Sequence, residues 1–108
     1  MEKSDSVFVQ HIKDAIKTIV EHIGDVNRDE FLKNKLLQDA VIREIEIVGE
    51  ASNRLSSGFH ESNKHVPWDK IIGMRNMLIH GYFEVDLEEV WKTIQKDIPE
   101  LGKALSEK

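Results

Sequence analysis

Arg75, Asn76, His80 and Tyr82 fall within one eight-residue span and carry the side chains of this sequence best suited to an anionic substrate. A guanidinium offers phosphate oxygens a planar fork of donors. An imidazole gives or takes a proton near neutral pH. On a helical wheel at ~100° per residue, Arg75 lies close to the centre of an apolar arc formed by Trp68, Ile71, Ile72, Leu78 and Ile79. A charge on such a face needs a partner or an opening. Two readings therefore stand for Arg75: an ion pair with a carboxylate of the preceding long helix, or a fork for an anion. His80 sits ~7.5 Å further along the axis. It does not share Arg75's direction on an ideal wheel, so local geometry or a second subunit must bring the two together. The helix C-terminus favours the imidazolium and Arg75 disfavours it, which leaves the direction of any shift open. A lone helix-end histidine or loop tyrosine is more often structural than catalytic. The convergence of four such residues at one helix end is what marks a site.

The elements that must position them read as helices throughout. Phe8, Ile12, Ala15, Ile19 and Ile23 recur at three- and four-residue spacing, predicting a helix from Ser4 or Asp5 to about His22, stopped by Gly24. Asp29 can cap a second, long helix from about Glu30 to Leu55, with a break near Asn34. Its core stripe is Leu37, Val41, Ile45, Val48, Ser52 and Leu55. Arg43, Glu46, Glu50, Asn53 and Arg54 fall opposite, as a solvated face with Arg43–Glu46 and Glu50–Arg54 pairs. Ser56-Ser57-Gly58 ends that helix, and the chain to Val66 reads as a loop. Pro67 starts a third helix, Trp68 to about His80, which Gly81 terminates. Asp86 and Glu89 resemble a capping box for a fourth, with Leu87, Val90, Trp91, Ile94, Ile98, Leu101 and Leu105 on one face and a kink or break at Pro99. Trp68 and Trp91 are expected in the core. No alternating strand pattern occurs, so the expected fold is all-α: a single domain over residues 1–108, arranged as an antiparallel four-helix bundle.

Composition narrows the chemistry. The 108 residues hold no cysteine, which excludes disulfides, thiolate metal sites and a cysteine nucleophile. His60 and His65 flank Glu61, but no zinc spacing such as H-E-x-x-H is present, and no metal site is expected. Phosphate-cradling glycine loops and Gly-x-Ser-x-Gly elbows are also missing from the sequence. No apolar run is long enough to span a membrane, and Met1–Asp5 is polar, so a cytoplasmic location is expected. The net charge of −5 argues against nonspecific duplex binding. It is uneven: residues 1–60 and 81–108 are each net −3, while residues 61–80 are net +1.

At Arg75-Asn76-x-x-x-His80-x-Tyr82 the sequence resembles the R-x4-H-x-Y motif of the HEPN superfamily, in particular the HepT-type ribonuclease toxins. The resemblance extends through Val41–Ala51, which ends in Gly-Glu-Ala, and Val66–Asn76, with its Pro-Trp lead-in. It continues from Asp86 through Trp91, Thr93, Ile94 and Pro99, and is weakest over the first 25 residues. It implies a four- or five-helix bundle of the HEPN type that forms a homodimer, with two motif copies meeting in a cleft. It also implies a ribonuclease acting on RNA without metal or other cofactor. By position, Arg75 would bind the scissile phosphate and His80 would act as acid/base. Asn76 would orient phosphate or histidine. Tyr82 would be where a partner nucleotidyltransferase antitoxin attaches adenylate. Glu50 would help line the cleft, unless it belongs to the solvated face.

Three functional readings follow. The first is a ribonuclease toxin of a two-gene toxin–antitoxin pair. The second is a non-catalytic HEPN module that binds nucleotide or a nucleotidyltransferase partner. The third is a structural helical adaptor in which Arg75 and His80 are internal ion-pair groups. The intact motif favours the first.

Overall fold

The computed structural model describes residues 3–80 and 85–106, with the side chains of all of these but Lys3 and His80. Helix α1 (Lys3–Ile23) buries Val9, Ile12, Ala15, Ile19 and Ile23. Val9, not Phe8, takes the core position; Phe8 is left half-buried at the edge. Gly24 ends the helix with φ +46°, a conformation that costs a glycine nothing.

Asn27, not Asp29, caps the next helix, α2 (Arg28–Lys33). Its Oδ1 accepts from the Glu30 amide at 2.9 Å while Glu30 Oε1 accepts from the Asn27 amide at 3.0 Å, a reciprocal box that starts the helix two residues early. The expected break at Asn34 is present. Asn34 both closes α2 and caps α3 (Lys35–Arg54) through the Leu37 amide, 3.0 Å. The buried Gln38 amide donates to the Phe31 carbonyl, 2.9 Å, which also accepts from the Asn34 N–H at 3.3 Å, so the end of α2 is tied to α3.

The expected loop from Ser56 to Val66 is helical in its first part and irregular only from Asn63. Ser56 caps a short helix, α4 (Ser57–Ser62), its Oγ accepting from the Phe59 amide at 3.1 Å. The same hydroxyl donates to Asp5 Oδ2 at 2.7 Å, and the Ser56 amide donates to Asp5 Oδ1 at 2.8 Å. Asp5 is thus buried yet fully bonded, and the start of α1 is tied to the end of α3.

α5 (Trp68–His80) has the expected bounds and buries Trp68, Ile71, Met74 and Leu78. Met74 takes the place expected for Ile79, which is 38% exposed. After α6 (Leu87–Lys92), capped by Asp86 through the Glu88 and Glu89 amides, the chain makes a π turn over Thr93–Asp97 and continues as α7 (Ile98–Ser106). The wide turn sits where Pro99 lacks the N–H that would bond the residue-95 carbonyl, which accounts for the expected irregularity. Trp91 is only half-buried, stacked on Phe31 with ring centroids 5.3 Å apart.

α3 packs between α1 and α5, and the Leu87–Ser106 segment covers α1 and α2. Asp5 meets Ser56, and Ile79 shares a cavity with Arg43, so neighbours along the chain run antiparallel. This is the expected all-α bundle, four long rods with α2 and α4 as short connectors. Among the described residues no helix is long and apolar enough to cross a membrane.

Candidate functional site

The α3–α5 contact brings Arg75 to its partners. Gly49 faces α5 without a side chain, and the backbone of α3 can approach to where its missing Cβ would overlap Arg75. At the next residue, Glu50 Oε2 meets Arg75 Nη2 at 2.7 Å, while Glu50 Oε1 accepts from Arg54 Nε at 2.9 Å. On the other side, Arg75 Nη1 donates to Asn76 Oδ1 at 2.7 Å. Arg75 Nε is buried and has no hydrogen-bond partner among the described residues. The guanidinium is therefore held from two sides, by an ion pair to Glu50 and a hydrogen bond to Asn76.

The hydrogen bond from Arg54, opposed by partial burial and assisted by the charge of Arg75, holds the Glu50 carboxyl below its ordinary range. Glu50 is thus the anion of this cluster across the neutral range.

Glu50, Arg54 and Arg75 wall a cavity of about 460 Å³ together with Phe8 and His11 of α1. That volume lies within the roughly 300–1,000 Å³ typical of small-ligand sites. Of the expected site residues, the structure brings together Arg75, Asn76 and Glu50. Arg75 makes the α3 ion pair foreseen as one of its two readings, and it does so on the wall of a cavity, which the other reading requires. The Arg43–Glu46 and Glu50–Arg54 pairs are both present, yet that face of α3 lines the cavity and does not simply face solvent. The backbone of His80 closes α5, but its side chain, Gly81 and Tyr82 lie outside the described residues.

The sequence did not mark Phe8, His11 or Arg54 as site residues: Phe8 reads there as core and Arg54 as a solvated ion pair. One signal was available: three of the four arginines, Arg43, Arg54 and Arg75, fall on this cavity, in a chain whose other cations are lysines. His60 is absorbed by packing. Its Nε2 lies 2.8 Å from the Ser52 carbonyl and its ring 4.9 Å from that of Trp68. Among the described residues no three metal-capable side chains cluster.

Residues 12–107 match the family described as Ribonuclease HepT-like. The chain belongs to that family. Among HepT-like relatives, "Probable ribonuclease HepT" of Thermococcus cleftensis is 40% identical, with 94% of this chain and 92% of that one covered. "Putative RNase MJ1380" of Methanocaldococcus jannaschii is 38% identical over 95% of each chain. A third protein, "Gamma-glutamylcyclotransferase and putative RNase MJ0434" of the same organism, is 45% identical over 97% of this chain. The HepT-like chain spans only 47% of that relative's length. No solved structure matches it.

Proposed function

We propose that the chain is a metal-independent endoribonuclease, the toxin of a toxin–antitoxin pair, cutting RNA at a cleft formed by two copies of itself. The observation that carries this reading is the Arg75 guanidinium, fixed by Glu50 and Asn76 on the wall of a cavity in a HepT-like chain.

In this mechanism Arg75 binds the scissile phosphate and stabilises its developing charge. Asn76 steadies the guanidinium through its hydrogen bond. The RNA 2′-oxygen attacks phosphorus, forming a 2′–O–P bond while the bond to the 5′-oxygen breaks. One His80 removes the 2′-hydroxyl proton, and the His80 of the second copy protonates the leaving oxygen. The products are a 2′,3′-cyclic phosphate and a 5′-hydroxyl. A C2 dimer supplies both histidines around one groove and buries surface that a chain of this size otherwise exposes. Tyr82 is the control point, where a partner nucleotidyltransferase attaches adenylate and blocks the phosphate site by charge and bulk.

The test is cleavage of RNA by purified wild type and His80→Ala, with and without a chelator. Chelator-resistant cleavage to cyclic-phosphate ends, lost in His80→Ala with the helical spectrum retained, is the expected result. Chelator-sensitive cleavage, or full activity in His80→Ala, would overturn the mechanism.

A further inference from the structure

The cavity beside Arg75 contains more than one phosphate contact requires. Arg54 and Arg75 straddle the two oxygens of Glu50, at 2.9 and 2.7 Å, so their guanidiniums stand close enough to grip consecutive phosphates of one strand. Among the described residues Arg54 is bonded through Nε alone, which leaves both of its Nη groups for an anion. The same cavity is lined by the rings of Phe8 and His11, centroids 6.0 Å apart and planes 80° apart. Phe8 is half-buried, His11 is exposed, and Ile47 adds an apolar wall.

We propose that this cavity is a nucleotide subsite: it takes one unstacked base of single-stranded RNA against the Phe8–His11 rings, with the neighbouring phosphate on Arg54. The proposal rests on the ribonuclease reading above and specifies its substrate. A base within a duplex is stacked on both faces and cannot enter, whereas unpaired bases are readily splayed onto aromatic side chains. Every base has a π face, so stacking of this kind selects for strandedness more than for sequence. The volume, about 460 Å³, suits one nucleotide and not a helix. Arg54 acts as a positioning residue: it holds the adjoining phosphate so that the next one falls on Arg75.

The test titrates wild type, Phe8→Leu and Arg54→Gln with adenosine 5′-monophosphate, uridine 5′-monophosphate and ribose 5-phosphate. Both nucleotides are expected to bind roughly tenfold more tightly than ribose 5-phosphate. Phe8→Leu, which keeps an apolar side chain of similar bulk, should abolish that difference. Arg54→Gln should weaken all three ligands. On single-stranded RNA each variant should raise KM roughly tenfold while kcat changes by less than about threefold. Equal binding of nucleotides and ribose 5-phosphate, no binding because a second copy fills the cavity, or equal cutting of paired and unpaired RNA would each overturn the subsite. Those results leave cleavage itself standing. Ring-dependent nucleotide binding by a wild-type protein that cuts no RNA would instead overturn the ribonuclease reading and leave the pocket.

Discussion

Gly49 of α3 and Arg75 of α5 are in direct backbone-to-side-chain contact. A Cβ on Gly49 would overlap the Arg75 Cβ and lie 2.9 Å from its Cγ and 3.3 Å from the Ile71 carbonyl oxygen. The close approach lets Glu50, the next residue, reach the guanidinium with a bond of 2.7 Å. Helix packing and site geometry are set by the same pair.

Gly49→Ala should therefore disturb both. Intrinsic propensity favours alanine in a helix, but the methyl has to push α5 away, and overpacking of this kind costs about 1–3 kcal/mol. Thermal unfolding followed by circular dichroism should show a lower Tm than wild type. An unchanged or higher Tm would mean that α5 yields freely at this contact.

Glu50→Gln removes the charge between Arg54 and Arg75 and leaves the helix intact. A phosphate then meets less competition at both guanidiniums, while Arg75 loses its strongest tether. Steady-state kinetics should show KM and kcat falling together, each by roughly three- to tenfold. Since Arg54 and Arg75 hold the Glu50 carboxyl below its ordinary range, it stays ionised at neutral pH. Its titration then lies on the acid side, and any step in a neutral pH–rate profile should persist in the variant.

Asp5 makes acid stability a readable quantity. The Ser56 hydroxyl bond, outweighing the cost of burial, depresses its carboxyl, with the Ser56 amide and His60 acting in the same direction. A depressed folded value means that the stabilisation is fully present above the unfolded value of about 4. It is lost as pH falls below that, through the folded value. Asp5→Asn should cost about 1–3 kcal/mol at neutral pH, a loss that shrinks on acidification. Melting curves across that window check it; a constant difference would rule out ionisation of Asp5 as the cause.

Tyr82→Phe should keep cleavage activity and lose regulation. Coexpressed with the nucleotidyltransferase, wild type should gain the mass of an adenylate on Tyr82 while the variant stays unmodified and active. A variant silenced as completely as wild type would overturn the assignment.

Local chemistry was legible in the sequence. α5 has the bounds set by Pro67, Trp68 and His80, and Asn34 breaks the chain where an unsatisfied helix end invites a short polar side chain. The motif residues Arg75 and Asn76 could be found from type and spacing. Ser56 was harder, because it caps α4 directly after Leu55 closes α3, and a run of Ser-Ser-Gly reads as a stop in either case. What no local pattern carried was contact at a distance. Gly49 answers to Arg75, Asp5 to Ser56, and Phe8 with His11 to a wall built by α3 and α5. Each depends on which helix faces which.

The π turn at Thr93–Asp97 also sets the phase of the C-terminal rod like the thread of a screw. The Ile98 amide reaches back five residues to the Thr93 carbonyl, so the turn holds one residue more than an α-helix would. Winding the same residues as regular α-helix would rotate everything beyond the turn by about 100°. Leu101, Ala104 and Leu105, now buried, would swing off the seam they share with α1, and Asp97 would leave Lys70, 3.1 Å away. One shifted hydrogen bond thus fixes which face of the last nine helical residues belongs to the core.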